Sequence, residues 1–209
     1  MAVYFSSFYP LCCTDAGRTA VLKYGLPPFI DGSCRREPDF EHPFPALTGL
    51  CRPGFSAKLK KGEIVIYTSN IKGVGRKYLV AVLKVIETKE GHINAANWYK
   101  TKGYDLPNNL MVPGNNAIAL DHTHRMMGWG TWAKDAHDLK SWDSFYKTRA
   151  KDDTVAICEP WNGKVNVNSL QFFTSADVKR IFKQKKMPGT RNPAKLKDED
   201  WNRLKDWII

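Results

Sequence analysis

No apolar run in this 209-residue chain approaches the roughly 20 residues that a membrane-spanning helix requires, so neither a bilayer-crossing segment nor a membrane partner is expected. The N-terminal stretch Met1-Ala-Val-Tyr-Phe-Ser-Ser-Phe-Tyr9 lacks the basic flank of a secretory leader, and a cytoplasmic location is the resulting expectation. Cysteine is scarce and irregular. Cys12, Cys13, Cys34, Cys51 and Cys158 are odd in number and share no regular spacing, so no full disulfide framework is indicated and a reducing compartment fits better. Cys-x-x-Cys and His-Glu-x-x-His are both missing, no established catalytic motif aligns, and no cofactor is expected. Acidic residues are outnumbered: 21 Asp and Glu face 32 Lys and Arg, for a net charge of +11. Such a surplus favours polyanionic partners through counterion release.

What is present is an ordinary globular composition, 43% hydrophobic and 25% charged, over a length that suits one domain with a substantial core. Its chemistry is concentrated in Asp31-Gly-Ser-Cys-Arg-Arg-Glu-Pro-Asp39, where two guanidinium groups sit among three carboxylates. Gly32 and Pro38 mark the stretch as a loop. The arginines either pair with neighbouring carboxylates and hold the loop shut or contact a ligand, since perturbed charges serve both purposes. Cys34, beside Arg35 and Arg36, is a candidate thiolate. Asp31, Asp39 and Glu41 are the candidate acids or bases.

Glu63-Ile-Val-Ile-Tyr-Thr68 has the β-branched and aromatic content of a strand. Tyr78-Leu-Val-Ala-Val-Leu-Lys-Val-Ile86 reads as a longer strand, apolar on both faces, which only a closed or covered sheet would bury. The pattern Leu59-Lys-Lys-Gly-Glu-Ile-Val-Ile-Tyr-Thr-Ser69, a basic loop, and then Tyr78 to Glu87 resembles the core hairpin of the PUA-like superfamily, particularly its ASCH and EVE branches. Asp31 to Asp39 together with Leu50-Cys-Arg52 is similar to the nucleotide-modification-associated domains of bacteria and phages. The resemblance implies an α+β fold: a small mixed PUA-like β-barrel with surrounding helices, binding nucleic acid or a modified base. One domain over 1–209 is expected, with the barrel core in 1–172 and a basic helical segment in 173–209.

Along the rest of the chain, Val3 to Tyr9 reads as a strand ended by Pro10, and Ala16 to Tyr24 as a short helix or loop ended by Pro27-Pro28. The segment from Glu87 to Pro113 reads as turn-rich and long, and carries Trp98, Tyr99 and Tyr104, flat side chains that either stack on a base or pack as core. Ala117 to Leu120 reads as a short strand followed by His122 and His124, which share one face of an extended chain and are at most a partial metal site. Trp129, between Gly128 and Gly130, is a second stacking candidate. Asp135 to Arg149 has amphipathic helical spacing, and Thr154 to Asn168 reads as a β-hairpin turning at Asn162-Gly163. Thr174-Ser-Ala-Asp177 is close to a capping box for a helix that Met187-Pro-Gly189 would stop. Asp198 is read as the cap of a last helix with Arg203 on its outer side. Lys179 to Lys205 holds ten Lys and Arg against three Asp and Glu, either a solvated face or a phosphate-binding one.

The expected nucleotide- or nucleic-acid-binding set is therefore Ser33, Arg35, Arg36, Tyr67, Thr68, Ser69, Arg76, Lys77, Trp98, Tyr99 and Trp129. Binding of nucleic acid or a modified nucleotide is the first functional expectation, catalysis on a nucleotide or nucleobase through Asp31, Asp39, Glu41 or Cys34 the second, and a purely structural interaction module the third.

Overall fold

The computed structural model describes residues 1–26, 29–31, 35–70, 77–117, 144, 146–165, 171–184, 186–188 and 193–208. Seven strands form one mixed sheet: β1 (Val3–Ser7), β2 (Ala46–Leu47), β3 (Ile64–Asn70), β4 (Lys77–Glu90), β5 (Thr154–Val165), β6 (Phe172–Phe173) and β7 (Ala194–Lys195). Their order is β2-β5-β4-β3-β1-β7, with β6 paired to β4 off this path. The pair β1–β3 is parallel, running from Val3↔Ile64 to Ser7↔Thr68, and the other pairs are antiparallel. Among the described residues, helices α1 (Asp15–Tyr24), α2 (Gly91–Thr101), α3 (Ser175–Phe182) and α4 (Asp198–Trp207) accompany the sheet in an α+β architecture.

The sheet does not close into the expected barrel: β2 and β7 end it, and no pairing joins them. Its two apolar faces are covered instead. Strand alternation sends Val65 and Tyr67 to one side, where they pack with Phe8, Phe29, Phe40, Phe55 and Leu59 from loops. Ile64 and Ile66 face the other side and meet Val178, Ile181 and Phe182 of α3 and Trp201 and Leu204 of α4. Central strand β4 thus has Tyr78 through Leu83 all buried without any closure.

Two further expectations are corrected by local geometry. The turn-rich reading of the segment after Glu87 fails because β4 runs on to Glu90 and passes directly into α2, with Gly91 at φ +72° making the corner. The buried face of α2 is His92, Ala95, Ala96 and Tyr99, at helical spacing but small or polar, so its periodicity is faint. The hairpin at Asn162-Gly163 is replaced by one strand, β5. Asn162 and Gly163 do take positive φ (49° and 70°), but they form a bulge in the β4–β5 ladder, between Leu83↔Pro160 and Ala81↔Val165. Residues 166–168 of that reading lie outside the described residues.

At the C-terminal end the capping box is present as read: the Thr174 hydroxyl accepts from Asp177 N–H, and the Asp177 carboxylate accepts from Thr174 N–H. The helix stops earlier than Met187-Pro-Gly189, at Lys183 in the left-handed region (φ 53°). In α4 the cap position is Lys197, and Asp198 is the first helical residue, favourable there for the helix dipole. Arg203 does not face outward; it is half-buried and donates to Ile181 O at 2.5 Å, tying α4 to α3. All but Ala117 of the 117–120 strand reading and most of the 135–149 helix reading fall on residues outside the described set; of the latter, 144 and 146–149 are described and helical.

Candidate functional site

The polar residues Arg35 and Asp39 fasten the loop that follows α2. Arg35 is 3% exposed and donates to the carbonyl oxygens of Asn108 and Asn115 at 3.0 and 2.9 Å. Asp39 accepts from Asn108 N–H at 2.9 Å, and Asp31 accepts from Glu37 N–H at 2.9 Å. This is the loop-closing alternative for Arg35: its donors match backbone carbonyls inside the protein.

Glu37 is the centre of the network, a residue the sequence reading passed over. Its carboxylate accepts from Thr48 N–H (3.0 Å), the Thr48 hydroxyl (2.6 Å) and the Asn109 amide (2.7 Å), and Asn109 also donates to Ala46 O at 2.8 Å. Burial pushes the Glu37 carboxyl up to about 7, against the opposing pull of the hydrogen bonds from Thr48 and Asn109, and nearby Asp153 pushes it the same way as burial. Asp153 is a second buried hub. It accepts from Gly49 N–H at 2.6 Å, from Ser56 at 3.2 Å and from His92 Nε2 at 3.2 Å. His92 Nδ1 accepts from Met111 N–H at 3.1 Å, which leaves the proton on Nε2.

Arg36 is placed differently. One of its terminal nitrogens donates to Asp31 O at 2.7 Å and lies 4.0 Å from the Glu41 carboxylate, while its Nε–H is buried with no hydrogen-bond partner among the described residues. It lines a recess with Phe29, Ile30, Asp31, Pro38, Asp39, Phe40 and Glu41. The recess holds about 10 Å³ at its bottom, room for roughly one water-sized group. His42, beside it, is a staple: Nδ1 accepts from Phe44 N–H at 3.0 Å and Nε2 faces Asp105 O at 3.0 Å.

A second concavity lies between the far end of β4 and the polar face of α2. It is an open groove of about 490 Å³ lined by Thr88, Lys89, Glu90, Asn94, Asn97, Trp98, Thr101 and Lys102. The Trp98 indole is half-buried and set by edge contacts to Phe44 (6.0 Å) and Tyr99 (5.0 Å). Tyr99 itself is fully buried and donates to Phe44 O at 2.8 Å, so it serves as core and as a wedge behind Trp98.

Of the other expected binding residues, Tyr67, Thr68 and Ser69 are buried. Tyr67 packs edge-on to Phe40 at 5.3 Å, and Ser69 meets the Cys13 thiol at 3.2 Å. Lys77, half-buried at the start of β4, has its ammonium pKa lowered by desolvation. Ser33, Cys34, Arg76, His122, His124 and Trp129 lie outside the described residues. In Leu50-Cys-Arg52, Arg52 donates to the Ser7 hydroxyl at 2.8 Å, and Leu50 O accepts from Arg149 at 2.6 Å. Both contacts are fastenings between distant segments. Among the described residues no group of three or more His, Cys, Asp and Glu is arranged to hold a metal, and no helix is long and apolar enough to cross a membrane.

The described geometry thus brings Arg36 together with Asp31, Asp39 and Glu41 at the recess and puts Trp98 in a separate groove with Lys89 and Lys102. Comparison with protein-family models, with curated proteins and with solved structures finds no match to this chain.

Proposed function

We propose that this protein binds nucleic acid or a nucleotide, with a modified base as the ligand that its sequence resemblance suggests. The observation that carries the reading is the groove beside α2, where a fixed indole, two lysines and two asparagine amides share one concavity. Its volume of about 490 Å³ falls within the roughly 300–1,000 Å³ of small-molecule sites. Base-on-indole stacking tolerates any base and is worth about 1–3 kcal/mol, and the net charge of +11 supplies the attraction for phosphate. Lys179, Arg180, Lys183 and Lys186, in and just after α3, are exposed and contribute to the net positive charge.

Catalysis through Asp31 or Asp39 is the lesser reading, because each already accepts a backbone N–H that holds the loop. The test is fluorescence anisotropy with labelled single-stranded and duplex oligonucleotides over a salt series. Trp98→Ala is expected to weaken binding by roughly 5- to 150-fold. Wild-type affinity that ignores salt, together with an unaffected Trp98→Ala protein, would end the reading.

A further inference from the structure

We infer that the groove beside α2 is one part of a two-station stacking surface, and that its ligand is a single-stranded nucleic acid with one base on Trp98 and another on Tyr104; the inference rests on the nucleotide-binding reading and names the form of the ligand. The chain builds the second station where α2 ends. Lys102 closes the helix, Gly103 turns the backbone at φ +75°, and Tyr104 N–H donates to Tyr99 O at 3.0 Å. That corner sets the Tyr104 ring against Phe44 with centroids 4.7 Å apart, and Trp98 meets the same Phe44 ring at 6.0 Å. Buried Tyr99 fixes the group, touching Trp98 at 5.0 Å and donating to Phe44 O.

These rings stay within reach of a ligand. Trp98 and Phe44 are half-buried and Tyr104 is 37% exposed, whereas Tyr99, five positions earlier, has no exposed area at all. The surface is therefore a row of three aromatic rings, Trp98, Phe44 and Tyr104, held in place but not sealed into the core. Successive bases of a single strand stack on such a row whatever their identity.

The geometry distinguishes one strand from two. Inside a duplex each base face lies against its neighbour, about 3.4 Å away along the strand, and is closed to an aromatic side chain. The Trp98 and Tyr104 planes are inclined to Phe44 by 70° and 51°. Since the two angles differ, the two planes are not parallel, and bases laid on them do not belong to one continuous stack. A splayed single strand meets that requirement. The charges suit its backbone: Lys100 and Lys102 are exposed between the two stations in sequence, and the groove lining holds Lys89 and Lys102 against the single carboxylate of Glu90.

The experiment is calorimetric titration of the full chain with thymidine monophosphate, trithymidylate and hexathymidylate, uridylates of the same lengths, and a blunt duplex of mixed sequence. It is repeated on Tyr104→Leu and Tyr104→Phe, each with a melting temperature. Leucine keeps an apolar contact with Phe44 but has no flat face, and phenylalanine keeps the face. The trinucleotide is expected to bind about 5- to 150-fold more tightly than the monophosphate, the factor that one further stack supplies. Tyr104→Leu is expected to erase this gain while leaving the monophosphate affinity and the melting temperature as they were, and Tyr104→Phe to retain it.

A gain with length in either series that Tyr104→Leu removes supports the assignment, and the tighter series names the strand as DNA or RNA. A trinucleotide no tighter than the monophosphate, a gain that survives Tyr104→Leu, or a duplex that binds as tightly as the hexanucleotides overturns the two stations and leaves nucleotide binding standing. Wild-type protein that binds none of these ligands overturns the functional reading, and the stations with it.

Discussion

The buried carboxyl of Glu37 makes the stability of this fold depend on pH in a direction opposite to that of most carboxylates. Its pKa is raised from the ordinary 4.5 to about 7, chiefly because burial penalises the charged form. Between those values the folded chain holds a proton that the unfolded chain has released, so stability falls as pH rises through the window and levels off above it. For a rise of this size the loss amounts to about 3 kcal/mol between pH 4.5 and 8. At about 2–4 °C per kcal/mol for a chain of this length, the melting temperature drops by roughly 10 °C over the window. Glu37→Gln removes the titration. At pH 5 the wild-type group is the neutral acid, both of whose oxygens still accept, whereas the amide's NH2 cannot accept from Thr48 N–H or Asn109, so the variant begins about 1–3 kcal/mol less stable there. The two proteins then converge toward pH 8. Chemical denaturation at closely spaced pH values, with the variant's curve subtracted, isolates the Glu37 contribution from all other titrating groups. A difference curve flat from pH 5 to 8, or one rising with pH, would refute the placement of this carboxyl in a desolvated pocket.

The other predictions concern the fastenings around it. Asn109→Ala removes the side-chain donor to Ala46 O and one of the two donors to Glu37 Oε2, and is expected to cost about 1–3 kcal/mol. Because that amide bond favours the charged carboxylate, its loss also extends the Glu37 titration to higher pH, readable in the same denaturation series. Gly49→Ala places a Cβ 2.5 Å from Asp153 Oδ1 and drives the carboxylate off Gly49 N–H and Ser56. A melting temperature lowered by roughly 3–10 °C is expected, and an unchanged one would contradict the close approach. Thr174→Ala removes half of the capping box of α3 and should lower stability by about 1 kcal/mol, measured as the urea midpoint with an unchanged slope.

The elements whose evidence is local were legible in the sequence, and the arrangements that need a distant partner were not. Ile64 to Tyr67 and the long β4 announce themselves by β-branched content, and Thr174 with Asp177 by a spacing of three. A strand apolar on both faces says that both are covered, but not by what. Loops with Phe8, Phe40 and Phe55 on one side and α3 with α4 on the other do it here, so an open sheet buries what a barrel would have buried. Helix α2 is hidden because its inward face is histidine, two alanines and a tyrosine, and His92 belongs there only through Asp153, 61 positions away. Glu37 and Asn109 are 72 positions apart, and Gly49 and Asp153 are 104 apart, separations no motif spacing reports.

The same physics sorts the dense charges of Asp31 to Glu41. A side chain whose hydrogen bonds are met inside the protein, as those of Arg35 are by two carbonyls and those of Glu37 by Thr48 and Asn109, holds the fold in one state and has little left to offer a ligand. Function is better sought where the internal matching stops. Among the described residues here it stops at three buried atoms, Arg36 Nε, Asn108 Oδ1 and Asn109 Oδ1, all beside the loop that Arg35 and Glu37 fasten.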